Sequence, residues 1–207
     1  MQRPRISVNF AISADGKISS EEKRASGWTS QADHQRLLDL RKGMDALMVG
    51  KGTLLADRMT MTVSNAEKQP LRCIVSRSGQ LPADLPIFQK PGGAIHLCVT
   101  GGANVRYPGV TVHHQTLLDF LETLATLGVR HLHCEGGGEL AYSLAALDAV
   151  DEIHCTLAAH TLLGGKKSPT LTGLPGAFLE TSLTYEIKHM EAHPELGECF
   201  MSYVRKR

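Results

Sequence analysis

Apolar positions follow two different periods along this chain. Short apolar runs bounded by glycine, proline or polar residues predict strands, and Asp45–Val49, closed by Gly50, is typical of a strand buried on both faces. Leucines that recur every three or four residues predict a helix over Thr116–Leu127, which Gly128 ends. The predicted helices are Gln31–Lys42, Thr116–Leu127 and Gly138–Leu147, and the predicted strands are Ile6–Ile12, Asp45–Val49, Arg72–Ser76, Ala94–Thr100, Val110–His113, Arg130–Cys134, Asp151–Ala158, Leu183–Met190 and Cys199–Arg205.

The order of these elements indicates an α/β fold with a mostly parallel sheet flanked by helices. Leu37, Leu38 and Arg41 recur at helical spacing in the first helix, which Thr29 or Ser30 can cap. A short link between the last two strands predicts a C-terminal antiparallel hairpin at the edge of the sheet. The sequence has no repeat and no convincing linker, because the stretches Ser64–Pro70 and Leu163–Gly176 are typical of surface loops. We therefore expect residues 1–207 to form a single domain.

Composition narrows the class of protein. Of the 207 residues, 42% are hydrophobic, and 22 basic and 21 acidic side chains leave a net charge of +1. This content supports a folded core and argues against disorder and against broad electrostatic binding to nucleic acid. The longest apolar runs have four residues, far below the roughly 18 that a membrane span requires. Since the N-terminus has no apolar signal core, we expect a cytoplasmic protein.

The cysteines and histidines do not form a recognisable metal site. Four of the five cysteines lie in apolar strand runs and none is in a C-x-x-C pair, which predicts reduced, buried thiols rather than a disulfide framework or zinc site; they are Cys73, Cys98, Cys134 and Cys155, with Cys199 the fifth. His131 and His133 share a strand face, and His154 lies on a possible neighbouring strand. No carboxylate or cysteine completes this set, so we predict structural histidines and no metal.

Two strand ends lead into glycine-rich turns. Gly50–Thr53 and Glu135–Glu139 each follow a predicted strand and precede a probable helix. Glycine lets the backbone approach a ligand closely, and free N–H groups at a helix start favour phosphate. Neither turn is the G-x-G-x-x-G or the G-x-x-x-x-G-K-[ST] motif, and a tight turn without a ligand remains an alternative for each. Together they favour a cofactor cleft at the carboxyl ends of the strands.

Seven short motifs, in order, also carry a family resemblance over nearly the whole chain. They are Phe10–Gly16, Trp28–Ser30, Leu40-Arg41, Asp45–Asp57, Gln69–Val75, Glu135–Leu140, and Val150–Ile153 followed by Leu162–Gly164. The chain resembles the pyrimidine reductase family of riboflavin biosynthesis, which is the stand-alone version or C-terminal half of the bifunctional deaminase–reductase. The zinc-deaminase pattern, H-x-E followed by P-C-x-x-C, does not occur in this sequence.

The resemblance implies a dihydrofolate-reductase-like fold, a homodimer, and NADPH-dependent reduction of the ribosylamino group of a 5-amino-6-(5-phosphoribosylamino)uracil-type pyrimidine to ribitylamino. By position it implies that the cofactor is bound by Ile12, Trp28, Gly50, Gly52, Thr53, Asp57, Ser76, Arg77, Gly136, Gly137, Gly138, Glu139 and Leu140. The implied substrate-binding residues are Ser26, Arg41, Met61 and Glu135. A guanidinium with two hydroxyls in Ser76-Arg77-Ser78 would suit a 2′-phosphate, which favours NADPH over NADH.

One position departs from the family. Ser64 stands where the family usually has an arginine that helps to hold the substrate phosphate, and Arg58, Arg41 or Lys68 could replace it. Two alternatives to the pyrimidine reductase therefore stay open. One is a reductase of the same fold that acts on a pterin or another heterocycle, and the other is a non-catalytic nucleotide-binding module.

Two carboxylates are candidates for catalytic proton transfer. Asp15 lies in the turn Ala14-Asp15-Gly16, and Glu135 lies at a strand end before three glycines. The alternatives are an ordinary turn residue and a group that only binds ligand hydroxyls. At the other end of the chain, exposed-looking apolar residues predict a dimer surface on the C-terminal hairpin, although the hairpin could simply close its own sheet; they are Phe200, Met201, Tyr203 and Val204.

Overall fold

The computed structural model describes residues 2–22, 27–172 and 184–206. Its elements are β1 (Arg5–Ser13), α1 (Gln31–Arg41), β2 (Ala46–Gly50), α2 (Lys51–Asp57), β3 (Leu71–Ser76), α3 (Pro86–Gln89), β4 (Ile95–Val99), β5 (Val110–His114), α4 (Leu117–Thr126), β6 (His131–Cys134), α5 (Gly138–Ala146), β7 (Glu152–Ala158), β8 (Tyr185–His193) and β9 (Glu198–Arg205). The predicted strands and helices are confirmed, with ends that shift by a few residues. Helix α3 was not predicted, because four residues are too few to show a period. Helix α2 begins at Lys51, so residues 51–53 of the predicted glycine turn are already helical. Within the described residues, no helix is long and apolar enough to cross a bilayer.

The chain folds as two compact units. The first contains Leu38–Glu135 together with the N-terminal residues up to Arg5, and the second contains Ile6–Leu37 and the described residues from Gly136 onward. In the first unit the strand order is β5-β4-β3-β2-β6, and each adjacent pair is parallel. In the second unit the order is β1-β7-β9-β8, in which β1 and β7 are parallel and the other two pairs are antiparallel. A mostly parallel α/β chain that ends in an antiparallel hairpin is thus confirmed.

The core of the first unit explains why its strands form where the apolar runs predict. All residues of β4 are buried, and all residues of β2 are buried except the last, Gly50. Leu47, Val49, Ile74 and Leu97 pack in one apolar cluster. Strands covered on both faces read as continuous apolar runs rather than alternating ones, which is the pattern of this sequence. The cluster holds the carboxyl ends of β2 and β3 at fixed positions.

The cysteine prediction is confirmed, since all five thiols are free and Cys73, Cys98, Cys134 and Cys155 are buried. Burial raises the pKa of Cys98 to about 12 and that of Cys155 to about 11. Thiols in this environment stay protonated at neutral pH and act as small apolar side chains.

Helix α1 departs from the predicted apolar stripe. Its buried residue is Asp33, whereas Leu37 and Leu38 are only half-buried. The Thr156 hydroxyl donates to the Asp33 carboxylate at 2.5 Å, so the buried charge is hydrogen-bonded. Ser30 caps the helix as predicted, because its Oγ accepts the Asp33 N–H at 3.1 Å. This helix is therefore fixed by polar contacts rather than by an apolar face.

The hairpin also differs from the expectation in detail. Phe200 was expected to be exposed, but it is only 7% exposed, because the side chains of β9 alternate between the two faces of the sheet. The exposed apolar side chains are on β8, where Ile187 is 62% and Met190 is 63% exposed. Strand β8 is the outermost strand of the second unit, and none of its residues is fully buried. The exposed surface of the hairpin is thus β8 and not β9.

A buried arginine near the start of β3 binds the carbonyl groups of neighbouring loops. Arg72 is 5% exposed, and its Nε donates to the Gly93 carbonyl at 2.7 Å. Its Nη1 donates to the Ile87 carbonyl at 2.9 Å and to the Lys90 carbonyl at 3.2 Å, at the end of α3. Burial lowers the pKa of Arg72. The guanidinium thus satisfies carbonyl groups that the short helix leaves without partners.

We expect Arg72→Met to lower the free energy of unfolding by about 2–3 kcal/mol, because it leaves several buried carbonyls without a donor. The matched control is Arg58→Met, which removes only the exposed pair with Asp84 and should cost less than about 1 kcal/mol. Urea unfolding at neutral pH measures both variants. Equal changes for the two arginines would contradict this account.

Candidate functional site

The carboxyl ends of three neighbouring strands form one edge of the first unit. Strand β2 lies between β3 and β6 and is parallel to both. Gly50, at the end of β2, pairs with Val75 of β3, and the Glu135 N–H donates to the Met48 carbonyl at 2.9 Å. Residues that follow these strands therefore share an edge, which is where ligands bind in α/β sheets. We call it the carboxyl edge.

A two-point ion pair lies at this edge. Arg41 Nε and Nη2 donate to the two oxygens of Glu135 at 2.5 and 2.6 Å. The side chains are 11% and 3% exposed. Arg41 Nη1 also approaches the Thr62 carbonyl at 3.4 Å. Both oxygens of Glu135 are thus occupied by one guanidinium, and the pair presents a polar surface of fixed geometry.

A cavity of about 190 Å³ opens beside Arg41. Its lining includes Val63 and the cation Lys68, together with residues 43–45 and 69–70, which come directly before β2 and β3, so the cavity lies toward the amino ends of these strands. Of the three cations considered in place of the family's arginine, Arg58 is paired with Asp84 on the surface at 2.9 Å. Lys68 is the one that lies with Arg41 at a concave site.

The loop after β3 is held rigidly from several sides. The Ser76 Oγ accepts the Gly79 N–H at 2.9 Å. The Tyr107 hydroxyl donates to the Gly79 carbonyl at 3.0 Å and accepts the Leu81 N–H at 2.7 Å. Gly101 donates its N–H to the Arg77 carbonyl, and a Cβ at Gly101 would lie 2.5 Å from that oxygen, so only glycine fits. The loop therefore keeps one shape while the Arg77 side chain is exposed.

Lys51 adds a second cation to this loop. Its Nζ donates to the Ser78 Oγ at 3.2 Å, which joins the start of α2 to the loop after β3. Lys51 and Arg77 thus belong to neighbouring parts of the carboxyl edge. Two cations and the Ser78 hydroxyl form a donor set suited to a phosphate group, whereas Ser76 is only 3% exposed.

In the second unit, the turn before α5 has an open backbone. Gly136 and Gly137 have φ angles of +96° and +90°, which side-chain-bearing residues rarely adopt. A Cβ at Gly136 would meet no atom within 4 Å, and the same holds for Gly52 in the first unit. Gly137 precedes α5 without a side-chain hydrogen bond to the helix. The turn before α5 therefore leaves room for a ligand at Gly136, and the first turn of helix α2 leaves room at Gly52, as a nucleotide cofactor needs.

Asp15 is held by several donors in the second unit. Its carboxylate accepts the Ser13 hydroxyl at 2.5 Å and the Leu163 and Gly164 N–H groups at 3.1 and 2.8 Å. The hydrogen bond from the Ser13 hydroxyl, and after it the one from the Leu163 N–H, lower the pKa of Asp15 to about 2. An ionised carboxylate that accepts three hydrogen bonds anchors the segment 163–164. Proton transfer by Asp15 stays an untested prediction, and this geometry favours the alternative of an anchor.

The other predicted site residues fall into two groups. Gly50, Gly52, Thr53, Asp57, Ser76 and Arg77 lie at or after the ends of β2 and β3 in the first unit, and Ile12, Trp28, Gly136, Gly137, Gly138, Glu139 and Leu140 lie in the second unit. Met61 is completely buried in this structure, so substrate binding by Met61 stays a prediction. Ser26 lies outside the described residues.

Two of the histidines considered for a metal, His154 and His131, have partners that the structure shows. The His154 Nδ1 lies 2.9 Å from the Ser202 Oγ, and the His131 Nδ1 lies 3.9 Å from the Asp45 carboxylate. The pKa of His154 is lowered to about 4, mainly because the ring is buried. Across the described part of the chain, no three His, Cys, Asp or Glu side chains are grouped to hold a metal ion.

The family is decided by a match over almost the whole chain. The model of the RibD C-terminal domain matches residues 4–195. The chain belongs to the RibD C-terminal domain family. The resemblance to the pyrimidine reductases is thereby confirmed.

Similar proteins agree with this membership. A relative from Archaeoglobus fulgidus, named 2,5-diamino-6-ribosylamino-4(3H)-pyrimidinone 5′-phosphate reductase, is 33% identical over 189 residues, which are 82% of this chain and 86% of that protein. The crystal structure of a deaminase/5-amino-6-(5-phosphoribosylamino)uracil reductase from Thermotoga maritima superposes with a TM-score of 0.81 at 20% identity, over 99% of this chain and 57% of that one. Dihydrofolate reductase from Enterococcus faecalis gives a TM-score of 0.59 at 14% identity, over 98% of this chain and 97% of its own length. The dihydrofolate-reductase-like fold is thus confirmed.

Sequence reasoning missed several residues that hold loops in place within each of the two units. Lys51 stands inside a motif that carries the resemblance, yet its contact with Ser78 spans 27 positions. Tyr107 and Glu198 have no local signal, because each acts on a loop that is distant in sequence. Alternation along β9 could have indicated that Phe200 is buried, since Glu198, Phe200 and Ser202 are buried and the residues between them are half-buried.

The anchoring role of Asp15 predicts a pH dependence of stability. A carboxyl whose pKa is lowered from 3.8 to about 2 stabilises the fold fully above 3.8, and this stability is lost as the pH falls toward 2. We therefore expect Asp15→Asn to be destabilised at neutral pH and the difference from the wild type to shrink over that range. Urea unfolding across the range measures it. Asp39→Asn, which removes an exposed pair with Lys42, is the control. A stability difference between Asp15→Asn and the wild type that stays constant with pH would contradict the anchoring role of Asp15.

Proposed function

We propose that this chain catalyses the NADPH-dependent reduction of the ribosylamino group of a phosphorylated pyrimidine to a ribitylamino group, as one reductase domain in the cytoplasm. The observation that carries the proposal is the Arg41–Glu135 ion pair at the carboxyl edge, 11% and 3% exposed. It lies among the glycine turn after β2 and the loop after β3, so the predicted substrate-binding and cofactor-binding residues of the first unit share one edge. The name of the Archaeoglobus fulgidus relative supports the substrate class.

The cofactor in this proposal is NADPH rather than NADH. Arg77, with Ser78 and Lys51, would bind the 2′-phosphate, because two cations and a hydroxyl complement a dianion, while the buried Ser76 holds the shape of the loop. In the second unit, the turn at Gly136 and Gly137, where a Cβ at Gly136 would meet no atom within 4 Å, would bind phosphate oxygens through N–H groups. The reduced nicotinamide supplies the hydride when it is bound, and the protein supplies binding and orientation.

The substrate contacts in the proposal centre on Arg41 and Glu135. Hydroxyl groups of the opened sugar can donate to the carboxylate and accept from the guanidinium, which fixes the sugar carbon that is reduced. The cavity beside Arg41 would take the phosphate, with Lys68 in place of the arginine that Ser64 replaces. Glu135 remains the proposed proton-transfer group, since it belongs to this cluster and Asp15 acts as an anchor in the second unit.

The two alternatives make different predictions for the same site. A pterin reductase would use the same cofactor loop but would have no need of a cation at Lys68. A non-catalytic nucleotide-binding module would bind NADPH without turning it over. The likeness to dihydrofolate reductase supports neither, because at 14% identity it concerns the fold alone.

Turnover with two candidate substrates tests the proposal. Purified protein is mixed with NADPH and either the diaminopyrimidinone or the aminouracil form of the ribosylamino phosphate, and the loss of nicotinamide absorbance is followed. We expect turnover with at least one form, and Lys68→Ala should raise its KM about tenfold by removing a charge-assisted contact. Arg77→Ala should reduce the preference for NADPH over NADH about tenfold, whereas Arg130→Ala, at the opposite end of β6, should leave it unchanged. Tight NADPH binding with no turnover of either form would refute the reductase, and turnover of a pterin alone would favour the first alternative.

We also propose that the chain is a homodimer that pairs through β8. This strand is the outer edge of the second unit, and it exposes Ile187 and Met190. An unpaired edge with apolar side chains is a ready surface for a second copy. If the hairpin only closed its own sheet, β9 would suffice for that, because it already pairs with β7.

Light scattering after size exclusion measures the assembly. We expect a species of twice 22.4 kDa for the wild type and of 22.4 kDa for Ile187→Lys/Met190→Lys, because two buried lysines would break the interface. Leu127→Lys, which changes an exposed leucine in the first unit, should remain dimeric. A wild type of 22.4 kDa at micromolar concentration would contradict the proposal.

A further inference from the structure

Glu198 is a buried carboxylate that no predicted role explains. Its side chain is 0% exposed, although it begins strand β9 next to the turn of the hairpin. Its oxygens accept the Ser30 N–H at 2.7 Å and the Ser30 hydroxyl at 2.5 Å. The Nε2 of His160 lies 3.3 Å from the same carboxylate. A buried charge is retained only when such donors compensate for the lost water.

The hydrogen-bond donors around Glu198 lower its pKa more than burial raises it. Burial alone would raise the pKa of Glu198, but the two hydrogen bonds from Ser30 and the neighbouring His160 hold it below its usual value. The carboxylate is therefore ionised at neutral pH. Placed before the first turn of α1, its negative charge also complements the N-terminal end of that helix.

Through Ser30, Glu198 fixes the segment that contains Trp28. The Ser30 Oγ accepts the Asp33 N–H and donates to Glu198, so the helix cap and the buried carboxylate form one chain of hydrogen bonds. Trp28 lies only two residues before Ser30. With the Ser30 N–H and hydroxyl both held, the backbone leading to Trp28 has little freedom to move.

Through His160, the same carboxylate is connected to the Asp15 turn. The Nδ1 of His160 lies 2.8 Å from the Thr161 Oγ1, and the Thr161 carbonyl accepts the Ala14 N–H at 2.9 Å. Asp15 in turn binds the N–H groups of Leu163 and Gly164. Residues 160–164 thus link Glu198 to the turn that follows β1.

We infer that Glu198 is a positioning residue, which with His160 holds the Trp28 segment and the Asp15 turn of the second unit in the arrangement that receives the cofactor. The inference rests on the proposed function, in which Ile12 and Trp28 contact NADPH. Glu198 itself touches no ligand in this account. Its effect is to remove the cost of ordering these two segments when the cofactor binds.

A purely structural role for Glu198 makes a different prediction. A carboxylate that only stabilised the fold would change the melting temperature and the fraction of active protein. It would leave the affinity of the folded protein for NADPH unchanged. A positioning residue changes that affinity, and it changes the KM for the cofactor more than the KM for the pyrimidine.

Trp28 is the single tryptophan of the chain, so its fluorescence reports directly on this segment. The experiment compares the wild type with Glu198→Gln, with His160→Gln, whose side chain is 37% exposed, and with the control Glu195→Gln, whose carboxylate is 68% exposed on the same hairpin. Acrylamide quenching of Trp28 is measured without ligand, and NADPH binding is measured by the change in Trp28 emission. The KM values for NADPH and for the pyrimidine are determined in parallel.

We expect Glu198→Gln to increase the quenching of Trp28 and to weaken NADPH binding about tenfold, with the KM for the pyrimidine within about twofold of the wild type. His160→Gln should weaken NADPH binding about threefold, and Glu195→Gln should match the wild type. Because His160 is partly exposed, its variant keeps the test valid if Glu198→Gln fails to fold. Folded variants with wild-type quenching and wild-type NADPH affinity would overturn the inference. If the wild type itself gave no emission change and no turnover with NADPH, the proposed function would fail instead, and the quenching data alone would still decide whether Glu198 positions Trp28.

Discussion

The ion pair between Arg41 and Glu135 is the interaction on which the first unit's site depends. It joins the last residue of α1 to the residue that follows β6, and both carboxylate oxygens are used. Removing one partner of such a pair would leave a buried charge uncompensated, at a cost of about 3–5 kcal/mol. Apolar residues of the same size can stabilise a fold equally well, so the pair is better explained by its position at the carboxyl edge. There it offers a donor and an acceptor whose geometry is set before any ligand arrives.

Loops at both ends of β3, in the same unit, are held by several hydrogen bonds. Tyr107 and Gly101 hold the loop after β3 in one shape, and Arg72 ties together the loops at the opposite end of that strand. Chemistry that relies on a bound cofactor asks the protein mainly for orientation, and orientation requires loops that do not move. The second unit meets the same need by other means, since Asp15 and Glu198 anchor its segments with buried or hydrogen-bonded carboxylates.

Much of the fold could be predicted from the sequence, because its strongest signals are local. Continuous apolar runs identified the buried strands. The glycines after β2 and β6 identified two places where a Cβ would meet no neighbouring atom. The polar contacts escaped prediction for a physical reason, since Ser30 and Glu198 are 168 positions apart and nothing in either neighbourhood marks the other. For the same reason Asp33, a charged residue, occupies the buried position of α1 that apolar periodicity assigns to leucine.

The central claim is that the protein directs a hydride from the nicotinamide ring to C1′ of the opened sugar on a phosphorylated pyrimidine. The most direct measurement uses NADPH deuterated at the transferring carbon, with the ribitylamino product examined by mass spectrometry and NMR. The account predicts that deuterium appears at C1′ of the product and that oxidised cofactor forms in equal amount. Product without deuterium, or oxidation of the cofactor without any ribitylamino product, would contradict it.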